Sequence, residues 1–530
     1  MAFTEDHSFH PSRPADNGHG PAAGPPSGGF DADVLVIGGG LAGLAAAAHA
    51  ARGGARVVVL ERSESVGGRA VTHDNRGYLF NVGPHALYAG GPGSAVLAEL
   101  GVAVSGRRPP ASGGLAFHGG GLHTLPGGFV SLLTTDLLTV SGKIELAGVL
   151  SSLPKLDAGK LRGRTLRQWL DATFRDAVVR ELIEALMRLT AYANAPELSC
   201  AAASVAQLQQ GLGSGVIYLD GGWATLGAGL QRAAEEAGAR VLTGRRVSSV
   251  EEAEGGVAVT VRAARGSRAD DGGRLRDPDG GRLRDDDGDD TREARVLRAR
   301  VAVLALPPAV AAALCKGRGG DTLSAWAAAA TPVKAACLDL GLARLPEPRR
   351  LFAIGVDRPL YFSVHSASAR LAPEGAAVIH VAKYLPSGGA ACEQGGDEVR
   401  AELEAFCDQV QPGWRTEVVE SRFLPSMLVT GALVEAGKTR PGPRVPGSPS
   451  LLVTGDWVGG EGMIADTALA SGSEAGRLAA GIVRAASASD ASAATSAVSA
   501  SAAAVASASE AASVVSASEA SREGSAAALP

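Results

Sequence analysis

Several glycines and one carboxylate near the start of the sequence have the types and spacing to hold a dinucleotide. Gly38, Gly40 and Gly43 satisfy G-x-G-x-x-G directly after the apolar run from Asp33 to Ile37. Glu61 closes a second apolar run, Val57 to Leu60. In such a pattern the first glycine permits the tight turn off the strand and the second has no Cβ to block a pyrophosphate. The third lets the following helix pack closely on the sheet. Free amides at the helix N-terminus, beginning with Leu41 and Ala42, then meet the phosphates. Glu61, followed by Arg62, is placed to accept hydrogen bonds from a ribose hydroxyl. A carboxylate there would repel a 2′-phosphate, which argues against NADP.

Positioning these groups takes a βαβ unit, and the residues between them supply one. Leu41 to Arg52 is an alanine-rich helix, Gly53-Gly54 stops it, and both apolar runs read as buried strands. Strand, glycines, helix, second strand and terminal acid all fall in register, which a chance glycine run does not achieve.

At 530 residues the chain exceeds one ordinary core. Residues 1–30 are rich in Pro, Gly, His and Ser and are expected to be a disordered arm; they lack the basic start and apolar core of a signal peptide. Residues 485–530 are mostly Ala and Ser and are expected to be a disordered tail. No stretch reads as a bilayer span, so a cytoplasmic protein without an integral membrane segment is expected, peripheral membrane contact being left open. The net charge of −5, with no basic face, argues against nucleic acid. Five scattered cysteines without C-x-x-C suggest reduced thiols and no bound metal.

A second signature, Gly67-Gly68-Arg69, leads through Arg76-Gly77-Tyr78-Leu79-Phe80 to Asn81-Val82-Gly83-Pro84-His85. With the opening fingerprint it resembles the FAD-binding half of the superfamily containing phytoene desaturases, protoporphyrinogen oxidases and flavin amine oxidases. The resemblance implies that Gly68 and Arg69 lie by the FAD phosphates and that Gly83, Pro84 and His85 lie near the isoalloxazine. Asn81 stands where the family often has an acid. Further on, Tyr218 to Val250 reads as a strand-helix-strand unit, in which the resemblance puts Val247 against the adenine; Trp223 there reads equally as cofactor packing or core. Leu451 to Trp457 is a buried strand ending in Gly455-Asp456, ahead of a glycine-led helix from Gly462. By the same resemblance Asp456 takes hydrogen bonds from the ribityl or pyrophosphate region, and Gly462, Met463 and Ile464 face the flavin pyrimidine edge.

The expected fold is therefore α/β, α+β overall: a Rossmann-like FAD-binding domain, discontinuous in sequence (31–90, 215–310 and 450–484, with a polar insertion at 265–293). A substrate or cap domain of mixed sheet and helices is inserted into it (91–214 and 311–449). Such a chain is expected to be an FAD-dependent oxidoreductase that transfers hydride from a carbon centre of a lipophilic, polyene-like substrate to flavin N5. In the alternative reading it is a flavin amine oxidase using Lys334, which sits in an apolar run where burial would lower its pKa. The glycines, Gly459, Gly460 and Gly462, before the last helix leave no aromatic to cage an amine. His85 reads either as an acid or base above the flavin or as a turn histidine bonded to a carbonyl. A third reading, a non-catalytic module like the GDP-dissociation inhibitors, calls for eroded phosphate glycines, and here they are intact.

Overall fold

The computed structural model describes residues 29–110, 112–263, 294–388 and 395–523. The polar insertion at 265–293 and nearly all of the arm at 1–30 lie outside them.

The opening unit folds as β1 (Ala32–Ile37), α1 (Leu41–Arg52) and β2 (Val57–Leu60). The two strands run parallel, from Val34 opposite Val57 to Ile37 opposite Leu60. Both are continuous apolar runs because both faces of their sheet are covered. Val34, Val36, Val57 and Val59 pack on α1 and the C-terminal helix; Leu35, Ile37, Val58 and Leu60 pack toward Val247, Val259, Ala311 and Leu323. The sheet is then extended by distant segments. Arg240–Leu242 pairs parallel with β2, Arg295–Leu304 pairs parallel with β1, and Ser448–Val453 pairs with Arg295–Leu304. Alanines make α1 slim enough for close helix contact: a Cβ at Gly472 or Gly476 of the C-terminal helix would collide with the Ala42 or Ala46 carbonyl oxygen.

A second sheet has seven strands, in the order Val418–Thr430, Val333–Leu342, Ala377–Tyr384, Leu360–Val364, Phe352–Gly355, Leu115–His118 and Gly121–Thr124. Its residues alternate between two destinations. Ala336, Leu338 and Leu340 pack on the helix Gly396–Val410, whereas Ala335 and Cys337 join Tyr361, Tyr384 and Met427 on the opposite face. Beside it, helices between Phe129 and Ser214 form a cap with its own core. The capping box read at Thr165 and Gln168 is present, with reciprocal bonds of 3.2 and 3.0 Å.

Two expectations are corrected. Val216–Leu219 does not join the nucleotide sheet; it forms a small sheet with Leu87–Tyr88 and Gly106–Arg107. The Ala/Ser segment, expected to be a disordered tail, is helical through Glu523 in a helix beginning at Ala465. Composition predicted too little burial to order it, but alanine has the highest intrinsic helix propensity and the segment continues a helix already docked on α1. Among the described residues no helix is long and apolar enough to cross a membrane.

Candidate functional site

One cavity of about 1020 Å³ is lined by both sheets and the cap, and it reaches from the glycine loop to the inner face of the second sheet. At the nucleotide end the three glycines do three different things. Gly38 has φ 107° and a Cβ there would lie 2.6 Å from the Ala305 carbonyl oxygen. A Cβ at Gly43 would collide with the Gly38 carbonyl oxygen, so this glycine lets α1 cross its own turn. Gly40 differs: its Cβ would meet nothing nearer than the Gly67 carbonyl oxygen at 3.9 Å, and the space it leaves belongs to the cavity. No side chain caps α1 and no acid occupies its first turn, so its amide end is left to an anion from outside the chain.

Glu61 is buried and spans the loop. Its Oε2 accepts from the Gly39 amide at 2.7 Å and its Oε1 from the Ser63 amide at 2.8 Å. Each carboxylate oxygen has a further lone pair, so a ribose hydroxyl can still donate to it. Arg62 and Val247 line the same end.

The second and last signatures meet although far apart in sequence. Arg69 Nη1 donates to Asp456 Oδ2 and to the Val429 carbonyl, both at 2.6 Å, and Asp456 also accepts from the Gly431 amide at 3.1 Å. Beside them Trp223 lines the cavity with its indole N–H buried and unpartnered, a donor that a bound group could satisfy. Asn81 Oδ1 accepts from the Trp223 amide at 2.9 Å and from Thr72 at 2.8 Å. Both contacts use the side chain as an acceptor, so the amide meets this need without an acid's charge. The free donor, the open Gly40 cradle and the uncapped helix together fit a flavin dinucleotide.

His85 pairs through Nδ1 with the Gly83 carbonyl at 3.0 Å and stands edge-on to Trp223. Burial pushes its pKa down to about 4 against the raising effect of that carbonyl, so the ring is neutral near pH 7. Other expected contacts are placed as follows. Leu41, Ala42, Gly68, Pro84, Gly455 and Ile464 line the cavity with those already named. Gly43, Gly83 and Gly462 do not, and Met463 borders a separate small void. Lys334 is a correction: it is exposed and absent from the lining, because it lies on the face of its strand that also carries Ala336 and Leu338. Its neighbours Ala335 and Cys337 have the cavity-side face, and strand alternation places a residue one step away on the other side.

Other lining residues escaped the motifs. Asp466 follows Ile464 at the start of the last helix, accepts from Gly93 and Gln210 at 3.0 and 2.7 Å, and has its pKa raised by burial. Ile464 holds a φ of 56°, rare for a β-branched residue and a form of strain found at ligand sites. Of the six tyrosines in the chain, Tyr88, Tyr192, Tyr218 and Tyr361 line the cavity, so tyrosine scarcity was the available signal.

The family model described as flavin containing amine oxidoreductase matches residues 41–271. A carotenoid 3,4-desaturase of Haloarcula japonica is 48% identical over 52 residues, 10% of each chain. An L-amino-acid oxidase of Naja atra is 48% identical over 56 residues, 10% of this chain and 11% of that one. The chain thus aligns with only about a tenth of the length of these curated relatives. Among solved structures, an oxidoreductase from Methanosarcina mazei superposes with a TM-score of 0.62 at 20% identity, covering 83% of this chain and 98% of that one. A cyclohexylamine oxidase from Brevibacterium oxydans gives a TM-score of 0.58 at 17% identity, covering 86% and 99%. In its motifs, its fold and these matches the chain is similar to the FAD oxidoreductases that include flavin amine oxidases, phytoene desaturases and protoporphyrinogen oxidases.

Proposed function

We propose that the chain binds FAD along the glycine-loop end of the cavity and oxidises a largely apolar small molecule held at the other end. The observation that carries this reading is the continuity of one cavity from Gly40 and Arg69 to an apolar lobe lined by Leu186, Leu189, Phe352, Leu424 and Met427. FAD, when bound, supplies a hydride acceptor. The chain's part is to hold the dinucleotide through α1, Glu61, Arg69 and Asp456, and to exclude water with the lobe. A polyene or isoprenoid fits this lobe better than an amine: Lys334 faces away, and the lining carboxylate Asp466 is already held by Gly93 and Gln210, with burial raising its pKa. The amine reading keeps the support of the family model and of neighbours named as amine oxidases. Unpaired Cys200, Cys315, Cys337 and Cys407 support placement in a reducing cytoplasm.

The test is reconstitution with FAD, followed by anaerobic bleaching of the flavin with polyenes, amines and porphyrinogens. A protein that retains no flavin refutes the reading. Glu61→Ala, which orphans the Gly39 and Ser63 amides, should weaken FAD binding roughly tenfold or more; unchanged affinity would remove Glu61 from the site.

A further inference from the structure

The apolar lobe is not uniformly apolar. On one wall Tyr218, Tyr361 and Ser363 reach the cavity together. Tyr361 Oη lies 3.2 Å from His365 Nε2, and Tyr218 Oη lies 3.2 Å from Ser363 Oγ. Tyr218 stacks on His365, with ring centroids 3.9 Å apart, which fixes both rings.

Behind this wall a buried row crosses four neighbouring strands. Arg422 is opposite Asp339, Asp339 opposite His380, and His380 opposite Ser363. Asp339 Oδ1 bonds His380 Nδ1 at 2.6 Å and Cys337 Sγ at 3.0 Å, while Oδ2 takes the Arg422 guanidinium. The Asp339 carboxylate behind the wall is therefore already matched by a cation, and none of its charge is offered to the cavity. His380 in turn sets its ring edge-on to His365, at 4.5 Å.

Proton counting shows what the wall offers. Burial holds His365 well below the usual imidazole range, so it is neutral and carries one ring proton. Its Nδ1 is buried and unpartnered, which favours that proton on Nε2, where Tyr361 accepts it. Burial also raises both tyrosine pKa values, so both hydroxyls stay protonated. His365, Tyr361, Tyr218 and Ser363 then hold four protons for the two contacts within hydrogen-bond distance among them, so at least one donor is left over on a hydroxyl that lines the cavity.

We infer that Tyr218, Tyr361 and Ser363 form a subsite for a neutral oxygen acceptor, a carbonyl above all, on an otherwise apolar substrate. The inference rests on the lobe being the substrate end, as proposed above. A bare hydrocarbon would leave the spare donor unsatisfied, and an ammonium would bring a second set of donors with no acceptor charge to meet it. His365 is a positioning residue, acting through Tyr361.

Four compounds on one carbon skeleton test it: butylbenzene, 4-phenylbutan-2-one, 4-phenylbutan-2-ol and 4-phenylbutan-2-amine. Their binding to the FAD-reconstituted protein is measured by calorimetry, a readout independent of turnover. The ketone should bind about tenfold tighter than butylbenzene, with the alcohol between them and the amine weakest. Tyr361→Phe should abolish the ketone preference while moving butylbenzene affinity less than twofold, and Tyr218→Phe should reduce it. His365→Gln, which can still donate to Tyr361, should retain more of it than His365→Ala. A ketone no tighter than the hydrocarbon, a preference that survives both tyrosine substitutions, or an amine that binds tightest overturns the subsite. If the protein retains no flavin, the cofactor reading fails, and the same series on the flavin-free chain still decides the subsite.

Discussion

The two ends of the cavity are built by opposite strategies. At the nucleotide end the glycine loop, Glu61 and Arg69 lie within one short stretch, joined by Asp456 from far along the chain, and glycines shape the site by what they lack. At the substrate wall the groups arrive on two strands of different sheets, backed by a row that crosses four, and the site is shaped by buried charge and hydroxyl contacts fixed by sheet register. Absence of side chains is cheap to encode and leaves a motif; a register-dependent row of side chains leaves none.

This contrast can be broken by substitution. The largest effect is expected at the wall. Asp339→Asn keeps the shape but removes the charge that Arg422 and His380 share, and should lower unfolding stability by roughly 3–5 kcal/mol in urea titrations near pH 7. The loss should depend on pH. Burial alone would raise the Asp339 carboxyl, but His380 and Arg422 outweigh it and hold it below its ordinary 3.8. Its contribution is thus fully present above 3.8 and fades as pH falls through the lower folded value, so wild type and variant should converge in acid. A constant gap down to the acid transition would mean that the row is packing alone.

A smaller effect is expected at the loop. Gly43→Ala drives a methyl at the Gly38 carbonyl and should cost about 1–3 kcal/mol, with FAD retention falling alongside because the loop itself must shift. Normal retention in a folded variant would show that the loop has slack and would weaken the contrast. The smallest is Lys334→Met. An exposed residue on the far face of its strand should leave anaerobic flavin reduction within about twofold of wild type, and a large loss would return Lys334 to the site.

The same contrast explains what could be read before the fold was seen. The βαβ unit was legible because phosphates and helix N-termini demand particular residues at fixed spacing, and Arg69 and Asp456 were singled out only through the resemblance that their motifs carry. Lys334 was misassigned because an apolar run shows burial without showing which of two faces a residue takes, and a one-residue step reverses the answer. Tyr218, Tyr361 and His365 were invisible as a group, since only the packing of the small sheet on the seven-stranded one brings Tyr218 to the other two. The Ala/Ser segment was misjudged because composition was weighed without the docked helix that it prolongs.

The nucleotide sheet also has a consequence in time. β1 is flanked by Arg295–Leu304, and Ser448–Val453 lies beyond it, so the carbonyl of Ala305 that closes on Gly38 and the Asp456 that holds Arg69 emerge from the ribosome long after the glycine loop. The glycine-loop unit must wait, with two apolar strands exposed, for partners hundreds of residues further along the chain. Such long-range pairing folds slowly and leaves nascent chains open to aggregation. Competence to bind the dinucleotide is therefore acquired late, and a ligand that captures only the finished loop would draw stragglers into the native state by mass action.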